Sequence, residues 1–133
     1  IRERCRQSDQ LVPQSPGEVI RAVLESLALA YREMLERVTS VAQRNVSVIH
    51  IVGGGTQNGL PNQMTADAPV LPVVAGPIEA TVLGNALVQL ITLGEIGDIG
   101  QARAVVAGMS GLKRYEPAGT PQWQSAYAQY RTL

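Results

Sequence analysis

From Val19 to Val41 the apolar residues recur three and four positions apart, at Val19, Ile20, Val23, Leu24, Leu27, Tyr31, Met34, Leu35, Val38 and Val41. That spacing gathers them on one face of an α-helix. Arg21, Glu25, Arg32, Glu36 and Arg37 fall mostly on the other face. Ser15-Pro16-Gly17-Glu18 supplies the start: the Ser15 hydroxyl can accept from the Glu18 amide while the Glu18 carboxylate reaches back, and proline suits the first helical position. The pattern predicts one long helix with a buried stripe.

The period then changes. Val46 to Val52 is β-branched and nearly continuous in its apolarity, which predicts a strand covered on both faces and ended by Gly53-Gly54-Gly55. A short helix is expected over 60–68, with Pro61 tolerable only in its first turn, and a second strand over 71–75. Gly76-Pro77 should open another helix, with Ala80, Leu83, Leu87, Leu90, Ile91 and Leu93 turned inward, Gly84 allowing close packing and Gly94 as the stop. Further helices are expected over 99–108 and 122–130, separated by a loop through Tyr115-Glu116-Pro117 and Pro121. The Arg2 to Arg6 stretch reads as the end of a helix. Helices alternating with two strands predict βαβ connections and a small parallel sheet in a helix-rich α/β fold. Two short strands make a very small sheet, so either the fold is unusually helical or neighbouring strands lie in a segment not present here.

A chain of 133 residues suits one domain with a core of its own. With 45% hydrophobic and 17% charged residues it reads as an ordinary globular chain. Eleven basic residues balance eleven acidic ones, so no basic footprint points to nucleic acid or to an anionic membrane surface. Every apolar stretch is interrupted well short of the roughly 20 residues of a membrane span. The single Cys5 has no internal disulfide partner, and no Cys/His cluster offers metal-ligand spacing. The cytoplasm is the expected compartment. No signal-peptide pattern opens the chain; because it opens at Ile1 rather than Met, in what reads as the end of a helix, a start within a longer protein is expected.

Three glycines between a buried strand and a helix let backbone approach a ligand closely and adopt left-handed dihedrals, and the helix start beyond them supplies free amides. A plain tight turn at a strand end is the other reading of the same residues. A Walker A loop is excluded, since no Lys lies between Gly53 and Ala68. A dinucleotide fingerprint fits weakly, because Asn58 stands where its third glycine belongs and Ala75-Gly76-Pro77 follows the next strand without an acidic residue.

The run Val48-Ile49-His50-Ile51-Val52-Gly53-Gly54-Gly55-Thr56-Gln57-Asn58 is followed by Asn62-Gln63-Met64-Thr65-Ala66-Asp67-Ala68 and by Pro72-Val73-Val74-Ala75-Gly76-Pro77-Ile78-Glu79-Ala80-Thr81. Together these segments resemble the FGGY carbohydrate kinases, and Leu83-Gly84-Asn85-Ala86-Leu87-Val88-Gln89 continues the likeness. The Glu25-Ser26-Leu27-Ala28-Leu29-Ala30-Tyr31-Arg32 helix and the Ala-Gly-Pro-Ile-Glu-Ala-Thr segment look most like the rhamnulokinase branch. Two positions depart from the family pattern: Pro69-Val70-Leu71 contains no glycine where a Gly-containing turn is usual, and Pro61 replaces a usual Leu.

The resemblance implies an actin-like ATPase fold of two ribonuclease-H-like domains with ATP and sugar meeting between them. This chain, 1–133, would be the C-terminal portion of the second domain, with the N-terminal domain absent. By the same resemblance Gly54 contacts ATP, Gly53 and Gly55 keep the backbone open, and Asn58 meets the adenosine. ATP and Mg²⁺ are the implied cofactors. A ketose is the implied acceptor, L-rhamnulose first and xylulose, fuculose or glycerol after it. No residue here matches the family's catalytic or sugar-contacting positions, so the piece alone is expected to be inactive. A different expectation is a non-catalytic nucleotide-binding or interaction module that self-associates through surface left uncovered.

The remaining polar residues read as structural. His50 lies within a strand and lacks a visible partner for general-base work. Asp67 has no second carboxylate at ligand spacing and is expected to be solvated or to cap. Glu79 is expected in the first turn of its helix, where a carboxylate offsets the dipole. Trp123, Tyr127 and Tyr130 have helical spacing suited to packing, and Cys5 is incidental.

Overall fold

The computed structural model describes residues 1–119 and 121–132. A short helix α1 (Arg2–Gln7) leads into α2 (Pro16–Ala42), 27 residues and about 40 Å long. Strand β1 (Ile49–Ile51) runs into a 3-10 turn (Gly54–Gln57), then α3 (Gly59–Asp67) and β2 (Val73–Ala75). Helices α4 (Ala80–Thr92) and α5 (Ile99–Ala107), strand β3 (Lys113–Tyr115) and helix α6 (Pro121–Tyr130) complete the order. No helix among the described residues is long and apolar enough to cross a membrane.

The start of α2 is the expected capping box. Ser15 Oγ accepts from the Glu18 amide at 3.2 Å, and Glu18 Oε2 accepts from the amides of Gln14 and Ser15 at 2.6 and 3.3 Å. Those amides hold the Glu18 carboxyl below its ordinary range. Ion pairs Arg21–Glu25, Arg32–Glu36 and Arg37–Glu33, each four residues apart, line its polar side and contribute a few tenths of a kcal/mol each.

The core forms where α2 meets α3. Ala28, Met64 and Ala68 pack together, with Leu24 and Trp123 laid against them. Arg32 extends the contact: its guanidinium donates to the Ala68 carbonyl at 2.9 Å and lies 4.0 Å over the ring of Tyr127. Tyr127 donates to Glu36 Oε2 at 2.7 Å and stacks on Tyr130, so the aromatic residues of α6 pack as the spacing predicts.

Several expectations change. The apolar stripe of α2 is not the buried one: Ile20, Met34 and Val41 are 60%, 58% and 87% exposed, whereas the neighbouring Ala28 and Leu29 are buried. Helices α3 and α6 occupy the adjacent side of α2, and the stripe faces a groove of about 630 Å³ between α2 and β1. Strand β1 is correspondingly only half covered, with His50 exposed. Helix α4 buries Leu87 alone, and Gly84 faces open space rather than a neighbour.

The sheet is mixed rather than purely parallel. β1 pairs parallel with β2, in the register Ile49 to Val73 and Ile51 to Ala75, and β3 adds antiparallel on the far side of β2. Lys113-Arg114-Tyr115 carries no apolar alternation, so its pairing left no pattern. It is held instead from α3: Gln63 Nε2 donates to the Glu116 carbonyl at 2.8 Å, and Asp67 Oδ1 accepts from the Ala118 amide at 2.7 Å. Asp67 therefore ties a loop down rather than standing solvated.

Helix α4 begins at Ala80, with Glu79 as its N-cap residue and not in its first turn. The ladder explains the delay. The Gly76 amide donates to the Ile51 carbonyl at 2.8 Å and Pro77 accepts from Gly53 at 3.1 Å, so the chain stays extended past β2. The Gly76–Pro77 peptide is cis. At the end of α3, Leu71 and Val70 donate to the carbonyls of Ala66 and Asp67 at 3.0 and 3.3 Å, with Val70 at φ 58°. This is a helix stop that ordinarily takes glycine, at the turn where the chain departs from the FGGY pattern.

Candidate functional site

The glycine turn lies at the carboxyl ends of the parallel strands β1 and β2, the side on which open α/β sheets hold ligands. The strand ends as Gly53 turns to φ 80°, ψ −162°, a conformation nearly confined to glycine. Its amide donates to the Pro77 carbonyl, which fastens this turn to the loop after β2. Gly54 and Gly55 then open the 3-10 turn, whose first amides the turn itself leaves unused.

The space around these glycines is open. Among the described residues, a Cβ built on Gly53 or Gly54 would meet nothing within 4 Å, and one on Gly55 would make only ordinary contact with Ile51 at 3.8 Å. Internal packing does not explain the missing side chains. The backbone is bare toward solvent, as a close-approaching ligand requires.

Asn58 closes the turn and begins α3. Its Oδ1 accepts from the Leu60 amide at 3.2 Å, making it the N-cap. The capping oxygen is thereby committed, and the amide nitrogen remains as a donor at an exposed position. Gly55 and Asn58 both border the groove between α2 and β1. Pro61 falls in the first turn of α3, the one place the helix tolerates it.

Gly53, Gly54, Gly55 and Asn58 are thus brought together in one turn. His50 lies on the exposed edge strand beside the same groove, and Glu79 makes no side-chain capping bond. Two residues that the sequence pattern did not single out belong to the turn. Thr56, 6% exposed, sends its hydroxyl to the Gly53 carbonyl at 2.7 Å, and Asn62, 2% exposed, donates to the Thr56 carbonyl at 3.0 Å. The signal for Asn62 was present: a carboxamide among Met64, Thr65 and Ala66 on a buried helix needs a partner.

Residues 2–93 match the C-terminal domain of the FGGY family of carbohydrate kinases. The chain is 42% identical over 131 residues to rhamnulokinase of Bacteroides thetaiotaomicron, covering 98% of this chain and 27% of that protein. It is 38% identical over 133 residues to rhamnulokinase of Pectobacterium atrosepticum, covering all of this chain and 27% of that one. The crystal structure of xylulose kinase from Rhodospirillum rubrum superposes with a TM-score of 0.62 at 24% identity, over 92% of this chain and 24% of that chain. The chain therefore spans about a quarter of the length of its curated relatives. On the match over residues 2–93 and these likenesses, the chain belongs to the FGGY family of carbohydrate kinases.

Proposed function

We propose that this chain is the C-terminal portion of the second domain of an ATP-dependent sugar kinase, and that the Gly53–Asn58 turn holds the adenosine end of ATP. The observation that carries this reading is the bare turn itself, with a left-handed Gly53, no neighbour within 4 Å of a side chain at Gly54, and Asn58 beside it. The Gly54 and Gly55 amides suit electron-rich ligand atoms. The Asn58 nitrogen, with its oxygen spent on Leu60, suits a ring-nitrogen acceptor of a purine.

L-rhamnulose, phosphorylated at its C1 hydroxyl, is the acceptor favoured by the relatives' names; xylulose, fuculose and glycerol are the alternatives. Phosphoryl transfer needs a base for the hydroxyl proton and charge stabilisation at the phosphates, and in this reading both come from outside the chain. Among the described residues no group of three or more His, Cys, Asp or Glu side chains converges to hold a metal. These residues do not fit Mg²⁺ by themselves, so magnesium would come with the nucleotide. The same reading assigns the protein to the cytoplasm.

Titration of the labelled chain with ATP, followed by amide chemical shifts, tests the nucleotide reading. Shifts should concentrate on Gly53 to Asn58 and saturate weakly, because the turn supplies one side of a pocket. Shifts confined to other residues would overturn it. The chain alone should transfer no phosphoryl group to L-rhamnulose, and magnesium-dependent turnover above a buffer control would contradict the division of labour.

A second reading concerns the isolated chain: it self-associates. β1 is an edge strand beside the exposed apolar stripe of α2, and such edges invite pairing. Light scattering after size exclusion should give a mass above that of one chain. A monomer at high concentration would count against it.

A further inference from the structure

Three consecutive glycines make the loop that has most conformational freedom to lose, yet the turn is tied at several points. The Gly53 carbonyl accepts two bonds from one residue, from the Thr56 amide at 3.2 Å and from the Thr56 hydroxyl at 2.7 Å. The Thr56 carbonyl in turn accepts from Asn62 Nδ2 at 3.0 Å, and Asn62 is fully inside α3. The two side chains therefore form a continuous link from the first glycine, through the 3-10 turn, to the buried face of the helix that follows. Burying a carboxamide costs free energy that a hydrogen bond must offset. An apolar residue at 62 would fill the same space without that cost, so the cost has to be recovered at Thr56.

We propose that Thr56 and Asn62 are positioning residues that hold the Gly53-Gly54-Gly55 backbone open and in register with Asn58 for the nucleotide. The role rests on the nucleotide reading above; the clamp itself does not. Neither side chain is offered to the ligand. Thr56 and Asn62 are buried, and both act through the backbone between them. They remove the loop's freedom before binding, so that the ligand does not have to order three glycines itself.

The test uses two variants that separate hydroxyl from methyl. Thr56→Val keeps the shape and loses the donor, whereas Thr56→Ser keeps the donor and loses the methyl. Hydrogen exchange is read at the Thr56 and Asn58 amides, with Met64 and Thr65 in α3 as internal references, and ATP affinity is read by shift titration. In Thr56→Val the two turn amides should exchange about tenfold faster relative to the references, and ATP should bind about tenfold more weakly, the size expected for one lost hydrogen bond. Thr56→Ser should stay close to the parent in both readouts even where its overall melting point falls. Asn62→Leu should repeat the Thr56→Val result. If Asn62→Leu does not fold, the Thr56 pair decides alone.

Unchanged turn exchange in Thr56→Val overturns the clamp, and so does a Thr56→Ser variant that behaves like Thr56→Val, since the methyl would then be what matters. A parent chain that gives no ATP shifts at the turn overturns the nucleotide role, while the exchange rates still judge the clamp. Faster exchange without weaker ATP binding keeps the clamp and overturns its positioning role.

Discussion

The loop that leaves β1 and the loop that leaves β2 lie side by side, joined where the Gly53 amide donates to the Pro77 carbonyl, and both turn on glycine. At Gly76 the reason is internal. The residue is buried at φ 124°, and a Cβ there would lie 2.8 Å from Leu112 Cδ2 and 3.5 Å from the Leu112 backbone. At Gly54 the described residues supply no such reason: the residue is exposed, and none of them lies within 4 Å of where a Cβ would stand. One glycine serves the packing of β2 against the chain before β3. The other leaves the surface beside the turn empty, and on the proposed nucleotide reading that space is where the ligand would lie.

The largest expected effect breaks the structural side of this comparison. Gly76→Ala should lose about 2–3 kcal/mol of stability, since the left-handed φ strains any side chain even after Leu112 yields. Urea unfolding gives the measure. A loss below about 0.5 kcal/mol, the scatter of an ordinary surface change, would make the two loops equivalent and the contrast empty.

Val70 supplies the converse: left-handed backbone without the glycine that suits it. It sits at φ 58°, 46% exposed, as the stop of α3. A β-branched residue there costs about 1–2 kcal/mol, part of which glycine returns as unfolded-chain entropy. Val70→Gly should therefore raise stability by about 0.5–1 kcal/mol, read as a higher thermal midpoint. A lower midpoint would mean that the Val70 side chain packs more usefully than its exposure suggests.

Acid and base offer a perturbation remote from both loops. Partial burial pushes the Glu36 carboxyl up, but the Tyr127 hydroxyl and the Arg32 guanidinium outweigh it and leave it below its ordinary 4.5. Its contribution is thus complete above about pH 4.5 and is lost as pH falls through the lowered folded value. Burial, then the Glu36 carboxylate, raises the Tyr127 phenol above 10.0, so that contribution is complete below pH 10.0 and lost as pH climbs through the raised value. Protection of the α6 amides, taken relative to their intrinsic exchange rate at each pH, should fall at both extremes while that of Thr56 and Asn58 holds. Glu36→Gln should flatten the acid arm at α6 and leave the dependence at Glu18, where the Gln14 and Ser15 amides act. Loosening of the glycine turn together with α6 would show that the two regions are not independent.

Much of the scaffold was legible because the relevant signals are local. The capping box of α2, Pro61 in the first turn of α3, and the strands flanking Gly53 and Gly76 each follow from a few neighbouring residues. That Gly53, Gly54 and Gly55 form a turn after β1 was legible for the same reason, whereas Asn58 was joined to them only by the family resemblance. What escaped depends on distant partners. β3 pairs through Lys113-Arg114-Tyr115 without a pattern of its own, pinned by Gln63 and Asp67 more than 50 positions away in the chain. Nothing local tells that Pro77 accepts from Gly53, so the sequence points to Pro77 as the start of α4 where the helix begins at Ala80. Periodicity marks the stripe of α2 as apolar but cannot say that it lies largely uncovered, since it reports a face and not its neighbour.

The smallest expected change in stability is the most informative about the site. Gly54 does not have a left-handed φ, and its missing side chain faces open space, so Gly54→Ala should leave stability within about 0.5 kcal/mol or raise it slightly. ATP binding should nevertheless fall by about tenfold or more, because the methyl occupies the approach to the Gly54 and Gly55 amides and those contacts are worth on the order of 1 kcal/mol each. Gly76→Ala should do the reverse among molecules that remain folded, losing stability while the turn after β1 still takes ATP. A Gly54→Ala chain that is destabilised by more than about 1 kcal/mol would show a structural need for the glycine that the open space does not reveal. A chain unchanged in both stability and ATP affinity would move the nucleotide away from Gly54 and leave the three glycines as the plain turn that their spacing alone allows.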